Sequence, residues 1–559
     1  YETSNDRDSW RNLITLVADD ALTSTGPDGA PNTEQSETLS TRYIPKSIIQ
    51  KKIYLTTYPT VQTSFGRRKP DVTNAIIKAV NDGTLLLNFI GHGSPELWTH
   101  EQVFVQSTTI PLFKNDRLFF LTAATCDFGY YDRVGLFSST EDLLVKENSG
   151  AIGVFTAVRP VFSFFNAQLN NEFHYRMLVS PRDTLNLPIT LGKAYQITKT
   201  TYNQNNDQKF HLFCDPALRL NLPQYNASVD SINGKASSIV SQLKALGTVS
   251  VKGSIKNASG QTWSDFNGEG IMTVYDSETE IPLPEIGTYQ TMVVPGGIIF
   301  NGRISVTNGT FATEFVVPKD ISYENKNGKV VFYFYNTSGD GLGFTGNVTV
   351  GGTDSSITND GKGPFIDILF DNTEYENAML VTPNSVLLVK LSDETGLNTT
   401  GTGVGHRLEG ILNNNEAAPI DFSKYFTGDL DAGGKSGKIS YRFSDLKQGE
   451  YSLKVKAWDV FNNPSQSEAS FKVVTDKNLV VDYVYNYPNP FRDHTYFTFQ
   501  QSLSEAVKVR ILIYTVAGRK VHEIEQPFVN DKFVKIEWDG RDREGDLLAN
   551  GTYLYKLIV

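Results

Sequence analysis

Over the first 222 residues, compact apolar runs of strand length alternate with stretches whose apolar side chains recur every three or four positions. Leu13-Ile14-Thr15-Leu16-Val17-Ala18 reads as a buried strand. Residues 71–80 put Val72, Ile76 and Val80 on one helix face and stop before Asp82-Gly83. Strand-type runs follow at 85–90, 118–122 and 151–155, and helical spacing at 141–147, 165–178 and 191–200. Strands that are apolar throughout, separated by helices, predict an α/β layer built on a largely parallel sheet covered on both faces. In such sheets ligands gather beyond the carboxyl ends of the strands.

The pattern changes near Pro223. From there on, short alternating strands are broken by turn clusters such as Asn257-Ala258-Ser259-Gly260 and Ser338-Gly339-Asp340-Gly341. This spacing predicts β-sandwiches. A Gly-rich stretch at 350–364 reads as a linker and Thr475-Asp476-Lys477 as a second break. The expected organisation is an α/β domain over 1–222, β-sandwich domains over 223–364 and 365–476, and a terminal β-sandwich module over 477–559.

Composition narrows the function. The net charge of −11 over 559 residues argues against a nucleic-acid partner, which would select for a basic face. Two cysteines, Cys126 and Cys214, cannot form a disulfide framework for a chain this long, so each needs its own account. No run approaches the roughly 18–20 apolar residues that cross a bilayer as a helix. The opening Tyr1-Glu2-Thr3-Ser4-Asn5-Asp6 is no signal sequence and leads directly into a buried-type strand, so the natural chain is expected to begin further upstream.

Two of the apolar strands run into chemistry. The 85–90 run enters Gly91-His92-Gly93-Ser94, and the 118–122 run enters Ala123-Ala124-Thr125-Cys126-Asp127. If these strands are neighbours, an imidazole and a thiol meet at one sheet edge, within hydrogen-bonding reach. A free thiol is mostly protonated at neutral pH, and a nearby imidazole can take its proton to make a nucleophile. The glycines beside His92 are expected to let the backbone turn sharply and a substrate approach. The backbone N–H groups of Gly93 and Cys126 are the candidate oxyanion donors. No histidine pair has the spacing of a helical zinc site, and Ser139 and Ser163 lack a nucleophile elbow. Among the other histidines, His100 reads as a surface residue and His406 as structural.

An apolar block closed by His-Gly, then an apolar block closed by Cys, resembles the caspase-like cysteine peptidases. The context is similar to the gingipain family (C25): Gly91-His92-Gly93 with Trp98, Ala123-Ala124-Thr125-Cys126, and Phe213-Cys214-Asp215-Pro216-Ala217-Leu218. Cys214 stands where that family usually has glycine, and Thr125 where alanine is usual. The resemblance covers about residues 9–222. It implies a caspase-like α/β fold, His92 as base and Cys126 as nucleophile, with no cofactor required. It also implies an acidic partner for His92 upstream of this chain. Asp19 and Asp20, at the end of the first strand, are expected to be solvated loop acids or a helix cap, with a structural Ca²⁺ or a substrate group as the sharper alternative.

The tail resembles the C-terminal sorting domains of the type IX secretion system, through Tyr487-Pro488-Asn489-Pro490-Phe491, Trp538-Asp539-Gly540-Arg541-Asp542 and Asn550-Gly551-Thr552-Tyr553. The middle region is similar to the surface sortases of that system, through Gly403-Val404-Gly405-His406 and Ala457-Trp458-Asp459-Val460-Phe461-Asn462-Asn463. These likenesses imply an exported enzyme at the outer-membrane surface. Its partners would be cargo proteins carrying sorting domains, an attachment complex with a PorV-like β-barrel, and anionic lipopolysaccharide. The alternatives are a secreted protease that is itself cargo, or a non-catalytic surface adhesin.

Overall fold

The computed structural model describes residues 6–23, 26–28, 31–283, 291–371, 373–374, 379–401, 405–443, 446–474, 479–502 and 506–559. The break at 475–477 and the Gly403-Val404 part of the middle motif lie outside these residues. The chain forms two compact units, one of residues 1–317 with 321–356, the other of residues 318–320 with 357–559.

The first unit opens with the α/β layer. Its elements are β1 (Leu13–Ala18), α1 (Pro31–Arg42), β2 (Ile49–Tyr54), α2 (Pro70–Asp82), β3 (Leu86–Ile90), β4 (Phe119–Ala124), α3 (Ser139–Val145), β5 (Ala151–Ala157), α4 (Ser163–Val179), α5 (Leu191–Thr201), α6 (Asn205–Gln208) and β6 (Phe210–Phe213). The sheet order is β6-β5-β4-β3-β1-β2. All pairings are parallel except the edge pair β5–β6. The two faces have separate cores. Ile14, Leu16, Ala18, Leu86, Phe120 and Phe155 point to one side, and Val17, Leu87, Phe89, Leu121, Ala123 and Val154 to the other. That two-sided burial is why these strands read as unbroken apolar runs rather than as alternation. The sequence pattern had not resolved α1 or β2: α1 is rich in Ser, Thr and Glu, and β2 carries Gln50, Lys51 and Lys52 at the sheet edge.

The three central strands end in step. Ala18 pairs with Ile90, and Ile90 with Ala124. The residues that follow each strand therefore leave the sheet at the same edge. Inside the layer, Asn88 Oδ1 accepts hydrogen bonds from Thr122 Oγ1 (2.8 Å) and Asn170 Nδ2 (2.9 Å), tying β3 to β4 and α4.

The same unit continues in a β-sandwich whose strands include Tyr225–Ile232, Thr248–Lys256, Gly268–Tyr275, Ile298–Thr307, Thr310–Val316, Lys326–Tyr335 and Asp340–Thr353. Alternating side chains such as Val249, Val251, Ile304, Val306 and Phe332 fill its core. A two-stranded arm of this sandwich, Thr279–Pro282 with Thr291–Val294, reaches the α/β layer and places Leu283 and Met292 in its core. Glu37 on α1 secures the arm: it accepts from Val293 N at 3.2 Å and Tyr54 Oη at 2.7 Å, and pairs with Lys52. The buried Arg11–Asp340 ion pair (2.7 Å) adds a second tie.

The second unit is all β. One core gathers Ile368, Val389, Leu453, Val455 and Phe471, and another gathers Phe497, Phe499, Val509, Ile511 and Trp538. Gln500 Oε1 accepts from Leu380 N (2.9 Å) and Lys532 meets Asp371 at 2.7 Å, joining the two cores. Among the described residues, no helix is long and apolar enough to cross a membrane.

Candidate active site

Three loops leave the shared edge of β1, β3 and β4, and each carries one chemical group. β1 delivers Asp19, β3 delivers His92 and β4 delivers Cys126. The loop after β3 packs over the buried Trp98, which is stacked on Phe89 (4.2 Å between ring centres) and on Phe104 (4.5 Å). His92 O accepts from Thr99 N at 2.9 Å and closes that loop.

Asp19 Oδ2 accepts two hydrogen bonds from His92, one from the backbone N and one at ring Nδ1, both 2.9 Å. Oδ1 accepts from Asp20 N at 2.9 Å. This corrects two expectations. The acid facing His92 lies within the chain, and Asp19 and Asp20 are each only 1% exposed rather than solvated. The reason is the β1–β3 pairing, which sets the first residue after β1 beside the loop that leaves β3.

The glycines beside His92 serve close packing rather than a sharp turn. Neither has a positive φ. A Cβ on Gly91 would lie 2.6 Å from Asp19 Cβ, and one on Gly93 would lie 2.5 Å from Thr125 Oγ1. A side chain at 91 would push the carboxylate off the imidazole.

His92 and Cys126 line one cavity of about 400 Å³ together with Asp28, Asn32, Gly93, His100, Val161, Ser163 and Asn166. His92 is 44% exposed there, with its second ring nitrogen, Nε2, 3.7 Å from Asp28 Oδ2. Cys126 Sγ contacts the Val161 backbone, 3.5 Å from O and 3.4 Å from N. Among the described residues no hydrogen bond joins the thiol to the imidazole, so the two groups share the cavity without the direct contact the sequence reading expected. Gly93 also lines this cavity, as an oxyanion donor must. Sequence reasoning missed Asp28 and Val161, which no local motif marks.

The electrostatics follow from these contacts. The hydrogen bond to Asp19 raises the His92 pKa above the usual histidine value, and burial opposes it. Burial raises Asp19, against the hydrogen bonds from His92. Burial raises the Cys126 thiol as well, opposed by the Val161 backbone and by Lys209. In this resting arrangement the thiol form is favoured, and a proton acceptor is needed to make the nucleophile.

Behind Asp19 lies a carboxylate cluster. Asp19, Asp20 and Glu101 offer oxygens within 4.8 Å of one another. Burial, then repulsion from Asp20 and Asp19, lifts Glu101 to about 7. Oxygen donors at this spacing suit Ca²⁺. Each carboxylate already faces a cationic or proton-bearing side chain, however: Asp20 has Lys69 at 3.3 Å, Glu101 pairs with Arg67, and Asp19 holds His92. Among the described residues, Asp20 Oδ2 and Glu101 Oε2 are nevertheless buried without a hydrogen-bond partner, so these side chains compensate the cluster only in part and its oxygens fit a hard cation.

Of the remaining histidines, cysteines and serines, His100 and Ser163 line the same cavity, and the others sit elsewhere. His174 is fully buried on α4, its Nδ1 donating to Asn170 O (2.8 Å), and burial lowers it to about 4, so it is a neutral core residue. His100 is exposed and lies 5.4 Å from the His92 ring. Burial pushes the Cys214 thiol up to about 12, which leaves it unreactive. His406 lies in the second unit, bonded to Asp320 at 3.1 Å and edge-on to Trp458.

No curated protein matches this chain. Among solved structures, dimeric latent PorU from Porphyromonas gingivalis is similar, with 26% identity and a TM-score of 0.30, over 74% of this chain. The chain spans 40% of that PorU chain. The complex of RgpB pro- and mature domains from the same organism is similar at 14% identity and a TM-score of 0.31, over 62% of this chain and 71% of that one. The family model of peptidase family C25 matches residues 1–221, the α/β layer that carries Asp19, His92 and Cys126, so that part of the chain is similar to the C25 cysteine peptidases.

Proposed function

We propose that the chain is a cell-surface cysteine endopeptidase and transpeptidase that removes C-terminal sorting domains from type IX secretion cargo. The observation that carries the catalytic reading is the delivery of Asp19, His92 and Cys126 to one sheet edge by three in-register strands, with His92 and Cys126 lining one cavity. The C25 match over 1–221 supports the peptidase part of this reading, and the sorting-type motifs of the tail are what favour the sortase part.

In this mechanism substrate binding brings the scissile carbonyl between Cys126 and the His92 loop. His92 Nε2 takes the thiol proton and Asp19 stabilises the resulting imidazolium through Nδ1. The thiolate attacks the carbonyl carbon, and the N–H groups of Gly93 and Cys126 receive the oxyanion. Collapse of the tetrahedral intermediate breaks the C–N bond. The leaving amine takes the proton from His92, and a thioester remains on Cys126. Water then gives hydrolysis. An amine gives a new amide, and on this reading the amine belongs to anionic lipopolysaccharide held near an outer-membrane β-barrel of the PorV type. No cofactor takes part. A structural Ca²⁺ at Asp19 and Asp20 is not needed by this scheme.

The test is the mass of cargo released by cells carrying Cys126→Ala. Cargo is expected to keep its sorting domain in that strain and to lose it in wild type, with an added amine-linked mass where transfer occurs. Normal processing by the Cys126→Ala strain would end the proposal. Processing without any added mass would leave a peptidase that only hydrolyses.

A further inference from the structure

The nucleophile is held by a segment 35 residues away in sequence, and that segment has its own anchor. Between β5 and α4 the chain runs through Val158, Arg159, Pro160, Val161 and Phe162. Val161 presents both halves of its backbone to Cys126 Sγ: the N–H at 3.4 Å and the carbonyl at 3.5 Å. A thiol can donate to that carbonyl, and a thiolate can accept from that N–H. A hydrogen bond to the charged form favours it.

This segment is fastened on its far side by the α6–β6 junction. Val158 N donates to Lys209 O at 2.9 Å. Lys209 Nζ donates to Pro160 O at 2.7 Å. Phe162 N donates to Asn206 Oδ1 at 2.8 Å. Asn206 is 6% exposed, and its Nδ2 donates in turn to Asn166 Oδ1 at 3.1 Å, on the cavity wall. The two residues thus grip the carbonyl before Val161 and the N–H after it.

Resting on the assignment of Cys126 as nucleophile, we propose that Asn206 and Lys209 are positioning residues that hold the Val161 N–H on the sulfur and so favour the thiolate. Lys209 adds a favourable charge in the same direction. The charged or titratable groups around the sulfur are Asp127 on its own turn, Lys209 from the α6–β6 junction, Arg159 from the segment itself, His92 and His100 from the loop after β3, and Asp28 from the loop before α1. Asp127 opposes the thiolate, and Arg159 is engaged by Asp132 at 2.6 Å. Lys209 is therefore the cation that the Val161 segment relies on at this edge.

The experiment is the pH dependence of iodoacetamide alkylation on the whole chain, read at Cys126 by peptide mapping so that Cys214 is scored separately. Wild type, Lys209→Met, Lys209→Arg and Asn206→Ala are compared, with thermal unfolding as the control for folding. Lys209→Met and Asn206→Ala are expected to move the midpoint upward and slow alkylation at pH 7 by about three- to tenfold. Lys209→Arg is expected to stay within about twofold of wild type, since it keeps a cationic donor. A wild-type profile in folded Lys209→Met would overturn the proposal, as would Lys209→Arg falling as far as Lys209→Met. Should Asn206→Ala fail to fold, the half-exposed Lys209 pair still decides. Shifted alkylation in a chain that cleaves nothing would refute the peptidase reading and leave this one standing.

Discussion

Replacing Asp19 with Asn tests the site where it is most specific. Both carboxylate oxygens act as acceptors: Oδ1 from Asp20 N, and Oδ2 from His92 N and Nδ1, all at 2.9 Å. An amide offers one acceptor and one donor. Either orientation sets an N–H against an N–H in a place 1% exposed, where water cannot repair the mismatch. The substitution also removes the negative charge that stabilises the imidazolium. A hydrogen bond to a charged group is worth about 1.5–3 kcal/mol, and an unpaired buried partner adds to the loss. A total of about 2–4 kcal/mol in the transition state corresponds to about a 30- to 1,000-fold fall in kcat/KM. The assay is turnover of a fluorogenic peptide pool cleaved by wild type, with circular dichroism and thermal unfolding run alongside. The pH profile should change too, because the raised His92 pKa depends first on Asp19. A folded Asp19→Asn chain within threefold of wild-type kcat/KM would refute the reasoning.

Three further outcomes are expected. Gly91→Ala places a methyl 2.6 Å from Asp19 Cβ, so turnover should fall at least about tenfold while the far-UV spectrum is retained. Trp98→Ala removes the plate beneath the His92 loop and should cost about 3–5 kcal/mol in urea-monitored stability, with activity lost alongside. His174 carries a pH signature whose sign is fixed by burial. Its folded pKa of about 4 lies below the ordinary value of 6.5, so its contribution is fully present above about pH 6.5 and is lost as pH falls toward 4. That contribution amounts to up to about 3 kcal/mol. His174→Gln should flatten this part of the stability-versus-pH curve, and an unchanged slope would show that His174 is not its source.

The strands that build the site could be read from the chain because burial on both sheet faces leaves an unbroken apolar signature. The expected strand at Leu13–Ala18 is the observed one, and those ending before Gly91 and near Thr122 differ from the structure by one or two residues. The edge elements α1 and β2 were not legible, since they bury only part of their surface and carry many polar side chains.

His92 and Cys126 stood out for a local reason: each follows its own apolar run, and a reactive residue type at a strand end needs no knowledge of its neighbours. Their partners could not be found that way. Asp19 meets His92 only because β1 pairs with β3 in the register Ala18–Ile90, and Val161 meets Cys126 only because β5 lies beside β4. Sequence by itself determined which elements exist and which groups are chemically able. Strand order and register, which arise from contacts between distant residues, decided which of those groups touch.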